Sequence, residues 1–398
     1  QTRDRYPTAP LLCDPPPFLS FTMLRTPSLA KTLRSIPKHN LSVLLSQQRA
    51  FSTAPVTVAI AGATGAVGQE LLELLDERKF PLKNLKLLAS ARSAGKQIPF
   101  KGENLTVEEL TEDSFSDVDI AFFSAGGSQS KEFGPAAGKA GCLVIDNSSA
   151  FRMDPKCPLV VPEVNAEAIP DAEDSMIIAN PNCSTIIMNT VVWPLHQKAN
   201  CKRVVVSTYQ AASGAGAQAM AELEQQAKDW VAGDPITQDI FGRQYIWNLF
   251  SHNSPIEETG YNEEEMKMVK ETKKIFSAPD IAVTATCIRV PVLRAHCEAI
   301  NVTLESPMHE DEALEILSKS PGVTVVDDRE NNKFPEPLDA SGKDDILVGR
   351  MRRDLSQPEG YGLEFFVAGD QIRKGAALNA VQIAEEVLEN YPTLLKKL

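Results

Sequence analysis

The chain has no CxxC pair and no Cys/His pairs at metal-ligand spacing, although it carries seven cysteines, at positions 13, 142, 157, 183, 201, 287 and 297. Scattered cysteines in odd number argue against a disulfide framework and for free thiols in a reducing compartment. The missing ligand spacing argues against a zinc site, so no metal is expected. No uncharged apolar run reaches the roughly 18 residues of a membrane-spanning helix, so no membrane partner is expected. Positive charge is in deficit: 40 Lys and Arg stand against 53 Asp and Glu, a net charge of −13. That balance excludes nucleic acid as the main partner, while leaving room for a local basic pocket that holds a small anion. The sharpest absence is local. From Pro15 to Gln69 there is no Asp or Glu, while Arg25, Lys31, Arg34, Lys38 and Arg49 are spread among Ser, Thr and Leu. From Met23 this stretch can form a basic amphipathic helix and reads as an organellar transit peptide, with a disordered basic tail as the alternative. Residues 1–54 are therefore expected to be a leader outside the fold, and residues 1–22, which precede Met23, are assigned no structure.

The remainder is ordinary globular sequence, 43% hydrophobic and 23% charged, and 398 residues leave room for two domains with cores of their own. From Val56, apolar strands alternate with helical stretches: VTVAIAG, AVGQELLELLDER, NLKLLAS, VDIAFFSAGG, SKEFGPAAGKAG, CLVIDNS. That order predicts parallel pairing and a Rossmann-like doubly wound sheet over residues 55–183. Beyond Cys183 the β-rich stretches RVVVSTYQ, IAVTATCIRVPVL, HCEAINVTLE and GVTVVDD predict a second, α+β domain with a mixed sheet over 184–370. The last helical pattern, within 371–391, is expected to pack back on the first domain.

Gly62, Gly65 and Gly68 follow the first strand and open a helix, the context that gives a glycine motif meaning. There a loop of Gly62, Ala63, Thr64, Gly65, Ala66, Val67 and Gly68 can bring backbone N–H groups and a helix N-terminus to a pyrophosphate. An NAD site places an acid at the end of the second strand; here the strand ends in Ser90, Arg92 and Ser93 with no acid. A ribose 2′-phosphate suits that end, which favours NADP.

Asn180-Pro181-Asn182-Cys183-Ser184 places a thiol at a helix start, where the dipole and unpaired N–H groups lower a thiol pKa. Asn182 and Ser184 are good cap residues. A lone cysteine is nonetheless structural in most proteins, so partners decide. Gln210 ends a strand and is followed by a flexible loop, Ser213-Gly214-Ala215-Gly216, able to present N–H groups to a cofactor or anion. Arg289 in an apolar strand is costly unless it meets an anion such as a carboxylate. His296 can be a base or a satisfied polar residue, and strict strand alternation would turn it away from Arg289 unless the chain bends near Pro291. Glu264 and Lys267, at i,i+3, read from spacing alone as an exposed ion pair.

Together, GATGAVG, ASARSAGK, DNSSAFRMD, NPNCST, TYQAASGAG, EEMKMVKETKKI, RVPVLRAHCEA and DQIRKGAALNAVQIAE, in this order from Val56 to the C-terminus, resemble aspartate-semialdehyde dehydrogenases of the bacterial and plant type. The resemblance implies that Cys183 is an acyl-accepting nucleophile, with Gln210 orienting the intermediate and His296 as acid/base. It implies Arg289 on the substrate α-carboxylate and Glu264 near its amino group, with Lys267, Arg152 and Asn182 on phosphate. Ser90, Arg92 and Ser93 correspond to the 2′-phosphate site, and Gln371 stands where the family commonly has asparagine beside the nicotinamide. The reaction implied is NADPH-dependent reductive dephosphorylation of L-aspartyl-4-phosphate through a cysteine thioester, in lysine, threonine, methionine and isoleucine biosynthesis. A homodimer, or a tetramer, in an organelle (a plastid before a mitochondrion) is also implied. The alternatives are an N-acetyl-γ-glutamyl-phosphate reductase and, from another class, a non-catalytic NADP-binding redox sensor.

Overall fold

The structure, a computed structural model, describes residues 54–395; residues 1–53, where the leader is expected, lie outside them. The described residues form two seven-stranded sheets. β1 (Val56–Ala61) is buried along its whole length, as a strand covered on both faces must be. Val56, Val58 and Ile60 pack with one apolar cluster, Ala59 and Ala61 with another. The first cluster includes Leu71, Leu74 and Leu75 of α1 (Ala66–Glu77); the second includes Ala137 of α2 (Gly127–Lys139).

The strand order of this sheet is β3-β4-β2-β1-β5-β6-β7. β2 is Leu82–Ala89, β4 Glu103–Glu109, β5 Ile120–Phe123, β6 Leu143–Asp146 and β7 Ile177–Ala179. All of these run parallel with β1. The order reverses at β1, so a crevice opens beyond the carboxyl ends of β1 and β5, where doubly wound sheets bind ligands. The alternating pattern of the sequence does not announce β3 (Gln97–Phe100), which is antiparallel to β4. That hairpin turns at Lys101 and Gly102, both with positive φ, a two-residue turn that matches the strand twist.

α3 (Cys183–Ala199) leaves β7 after three residues and is buried on all sides from Ser184 to Val192, only Gln197 and Lys198 in its last turn being exposed. Its Ile186, Ile187 and Val191 join the core of the second sheet. That sheet has the order β12-β13-β14-β11-β8-β10-β9. β8 is Cys201–Gln210, β9 Phe250–Ser251, β10 Ala282–Arg289 and β11 Ala295–Leu304. β12 is Val323–Val325, β13 Ile346–Arg353 and β14 Gly362–Asp370. β8 pairs parallel with β10 and antiparallel with β11, so the sheet is mixed. Two further helices matter for the site: α4 (Ala217–Ala232) and α5 (Glu263–Ile275). The C-terminal helix Leu378–Asn390 returns to the core of the first sheet through Val381, Ile383 and Val387. No helix among the described residues is long and apolar enough to cross a membrane.

Candidate active site

Three strands end at one place. β8 ends in Gln210 and β10 in Arg289, and the two residues stand opposite each other in the parallel register. β11 runs back on the other side of β8 with Cys297 opposite Tyr209, which puts His296 beside Gln210. Arg289 and His296 therefore share a face because the chain crosses over the end of β8, not because one strand bends at Pro291. Tyr245 Oη donates to Val290 O and lies 3.3 Å from Gln210 O, tying the two strand ends together.

α3 delivers Cys183 to the same place. Asn182 is its N-cap, its side chain accepting from Thr185 N at 3.2 Å. A cavity of about 310 Å³ opens at this helix start, lined by Val67, Arg152, Asn182, Cys183, Gln210, Gly214, Glu264, Lys267, Arg289 and Gln371 among others. His296 stands behind Gly214: a Cβ there would come within 3.4 Å of His296 Nε2 and 2.9 Å of Arg289 Nη1. Gly214 thus serves the gap between these two side chains, whereas Ser213 turns away and donates to Arg294 O at 2.8 Å.

Glu264 is the hub. Its Oε1 accepts from Asn182 Nδ2 (2.8 Å) and Gln210 Nε2 (3.0 Å), and its Oε2 from Lys267 Nζ (3.0 Å). Burial pushes this carboxyl up, but the Lys267 charge and the bonds from Asn182 and Gln210 outweigh it and hold the group well below the usual carboxylate range. The i,i+3 pair read from the sequence as an exposed ion pair is a cavity wall instead, with Glu264 only 4% exposed. Helical spacing says nothing of what packs opposite the helix, and here Asn182 and Gln210 do.

Arg152 is buried and held by Asn180 O (3.0 Å), Asn147 O (2.8 Å) and Glu271 Oε1 (3.1 Å). Glu271 also accepts from Asn182 N at 2.6 Å, so one carboxylate fixes both the arginine and the entry to α3. The α3 position alone predicts a depressed thiol at Cys183. The surroundings reverse that: burial first and Glu264 second push the thiol up to about 12, against Arg289, Arg152 and the Ser184 N–H, which pull it down. His296 is fully buried, and its Nδ1 accepts from Ala211 N at 3.0 Å while Nε2 has no partner. The neutral ring thus carries its proton on Nε2, a form that burial and the Arg289 charge favour by pushing the pKa well down. Any acid/base role must start from that tautomer.

The glycine loop lies between β1 and α1. A Cβ at Gly62 would meet Ser124 O at 2.4 Å and one at Gly68 would meet Gly62 O at 2.3 Å. Gly65, the N-cap of α1, supplies no side-chain cap, so the first N–H groups of the helix stay open to a ligand. Val67, in the first turn of α1, lines the Cys183 cavity and links the two sites. Gly62, Ala63, Thr64, Gly65, Ala66 and Gly68 lie outside that lining, as do Ser90, Arg92 and Ser93 on the turn after β2; Ser90 and Arg92 are exposed and Ser93 is buried. Gln371, at the end of β14, reaches the cavity with Oε1 unpartnered. Sequence reasoning missed His252, Asn147, Ser149, Asn180, Glu271 and Gly375. Gly375 lies so close that a Cβ there would stand 3.0 Å from Cys183 Cβ. Among the described residues no group of side chains is arranged to hold a metal ion.

Residues 57–172 match the NAD-binding domain of semialdehyde dehydrogenases and residues 192–374 their dimerisation domain. The chain is 55% identical over 335 residues to an aspartate-semialdehyde dehydrogenase from Synechocystis sp., covering 84% of this chain and 98% of the relative. The chain belongs to the aspartate-semialdehyde dehydrogenase family. The enzyme of Aquifex aeolicus is 51% identical over 331 residues, 82% of this chain and 96% of the relative. A crystal structure of aspartate semialdehyde dehydrogenase II from Vibrio cholerae complexed with ASA has a TM-score of 0.82 and 44% identity, covering 85% of this chain and all of that one. As in that family, the parallel sheet is the nucleotide-binding domain and the mixed sheet the dimerisation domain.

Proposed function

We propose that Cys183 is the acyl-accepting nucleophile of a phosphorylating, NADP-dependent aspartate-semialdehyde dehydrogenase. The overall reaction, reductive dephosphorylation of aspartyl phosphate to aspartate semialdehyde, is that of the family to which this oxidoreductase belongs. The observation that carries the residue assignment is the arrangement of Glu264, Arg289, Arg152 and Lys267 around one thiol. A substrate that is an α-amino acid at one end and an acyl phosphate at the other is charged to match it.

Arg289 takes the α-carboxylate and Glu264 the α-ammonium. The ammonium offsets the Glu264 charge that holds the Cys183 thiol up, so binding itself favours the thiolate. Lys267 and Arg152 stabilise the departing phosphate as the sulfur attacks the acyl carbon, and Gln210 fixes the carbonyl group. Asn182, occupied by Glu264 and the α3 cap, acts on phosphate through the order it imposes. NADPH, when bound, supplies the hydride that reduces the thioester. The loop from Gly62 to Gly68 would hold its pyrophosphate, Ser90, Arg92 and Ser93 its 2′-phosphate, and Gln371 Oε1 borders the reacting end. His296, with its proton on Nε2, donates to the oxygen that gains negative charge on the way to the thiohemiacetal.

An N-acetyl-γ-glutamyl-phosphate reductase is disfavoured because Glu264 suits a free ammonium, and a non-catalytic sensor would have no use for the phosphate-side cations. We further infer a homodimer through the mixed sheet, on which the rings of Tyr209 and Phe366 lie 6.0 Å apart and tilted at 53°, and a role in the biosynthesis of lysine, threonine, methionine and isoleucine. The acid-poor leader supports import into an organelle, a plastid before a mitochondrion, and uptake of the full chain by isolated organelles tests this. The enzyme assay is phosphate-dependent reduction of NADP by aspartate semialdehyde. Cys183→Ser is expected to abolish turnover while leaving NADP binding intact; a rate equal to wild type would remove the covalent mechanism.

A further inference from the structure

The guanidinium of Arg289 is aimed by three bonds, and His252 makes one of them. Of its five N–H groups, Nε gives one to Asn253 Oδ1 (3.4 Å), Nη1 one to Ala211 O (2.8 Å) and Nη2 one to His252 Nε2 (2.8 Å). One N–H is left on each terminal nitrogen, the pair that a carboxylate accepts side by side. We propose that His252 is the positioning residue of this clamp: by taking one Nη2 proton it leaves the paired N–H groups of Arg289 turned to the substrate α-carboxylate. The inference rests on the reading of Arg289 as the carboxylate clamp.

Its geometry is built, not incidental. β9 pairs with β10 so that Phe250 stands opposite Arg289, and His252 N donates to Cys287 O at 2.8 Å, which sets the residue beside the strand end. An arginine cannot accept a hydrogen bond, so Nε2 is the bare nitrogen and Nδ1 carries the ring proton. Ser254 N points its N–H at Nδ1 from 3.2 Å, a bond that belongs to the other tautomer and competes with the one Arg289 requires; with Nε2 taken by Arg289, Ser254 Oγ at 3.1 Å is the group that accepts the Nδ1 proton. Ser254 Oγ in turn accepts from Glu264 N at 3.2 Å. A single chain of bonds therefore runs from Arg289 through His252 and Ser254 to the backbone of Glu264. It joins the group that takes the α-carboxylate to the one that takes the α-ammonium. A protonated ring would face the guanidinium with like charge. Burial lowers the His252 pKa to about 4 and Arg289 and Lys267 act the same way, against Glu264, so the ring is neutral where the enzyme works. His252 also lines the Cys183 cavity.

The test is steady-state kinetics of the purified enzyme and its variants His252→Ala, His252→Gln and Arg289→Ala, each checked for melting temperature and NADP affinity. A glutamine can still accept from Arg289 through its amide oxygen; an alanine cannot. His252→Ala is expected to raise KM for aspartate semialdehyde about tenfold, the loss of one hydrogen bond to a charged group. Its kcat should stay within about threefold, and KM for NADP and phosphate should not move, the signature of lost ground-state binding. His252→Gln is expected to restore most of that KM. If Arg289→Ala raises KM for aspartate semialdehyde and His252→Ala does not, the inference falls and the clamp stands. It also falls if His252→Gln is no better than His252→Ala. If Arg289→Ala leaves KM unchanged, the clamp reading itself is wrong and this inference goes with it.

Discussion

Asn182 Nδ2 donates to Glu264 Oε1 across 2.8 Å, joining the cap of the Cys183 helix to the carboxylate that Lys267 and Gln210 also hold. The same carboxylate raises the Cys183 thiol and is assigned to the substrate ammonium, so one substitution should move a reagent and the substrate in opposite directions. Glu264→Gln removes a negative charge beside the thiol and frees the Lys267 cation, and both changes favour the thiolate. Alkylation of Cys183 by iodoacetamide in the ligand-free enzyme at pH 8 is expected to speed up, by about three- to fourfold for each unit the thiol pKa falls, since a tenfold gain in thiolate is partly offset by its lower nucleophilicity. The KM for aspartate semialdehyde is expected to rise by about tenfold or more as a charged partner is lost. Peptide mass spectrometry at Cys183 gives the first quantity and steady-state kinetics the second. Alkylation unchanged or slower would show that Glu264 does not set the thiol.

The three glycines of the dinucleotide loop are not equivalent, and their neighbours say how. At Gly62 and Gly68 an added Cβ would run into backbone, at 2.4 and 2.3 Å, so an alanine there must distort the join of β1 and α1. At Gly65 the nearest atom to such a Cβ is 3.4 Å away, an ordinary contact, and the backbone there has φ −83°. Gly68→Ala is therefore expected to lower the melting temperature clearly, in the range of about 1–3 kcal/mol for overpacking. Gly65→Ala should fold normally but weaken NADP binding, because its methyl stands where a pyrophosphate approaches the helix start. Calorimetry and NADP titration separate the two. A Gly65→Ala enzyme with wild-type affinity would mean that the phosphates do not sit on this helix.

What could be read from the sequence was what depends on neighbours along the chain. β1, the Gly62–Gly68 loop and the capped start at Cys183 are local patterns, and the parallel order follows from strands alternating with helices. The chemistry of Glu264 was not legible, because burial of a helix face depends on Asn182 and Gln210, which lie far away along the chain. For the same reason the thiol pKa was expected to fall and instead rises: the helix start is local, but the burial and the Glu264 charge are not. His252 follows a two-residue strand in an irregular stretch, with no periodicity to mark it. β13 and β14 did carry partial alternation, in ILVGRMRR and GLEFFVAGD, with the turn residues of DLSQPEGY between them, and were legible but missed. The rise of β11 beside β8 could not be anticipated either, since crossing the end of a strand leaves no local trace.

His296 has a buried acid two residues further along the same face of β11. Glu298 is fully buried and neither of its carboxyl oxygens has a hydrogen-bond partner. Burial pushes its pKa well above the usual range. The group is therefore neutral in the folded protein over a range where the unfolded chain, with a carboxyl pKa of about 4.3, is already ionised. With the folded pKa raised, the stability linked to this carboxyl is fully present below the unfolded pKa and is lost as pH rises toward the folded one. Glu298→Gln keeps the shape and removes the titration. Its melting temperature is expected to lie close to wild type at pH 4.5, and the difference should grow in favour of the glutamine variant as pH is raised to 8. Calorimetry of both proteins across that range is the measurement. A difference that stays constant with pH would mean that Glu298 is ionised in the folded protein as it is in the unfolded chain, and that a charge is tolerated directly behind His296.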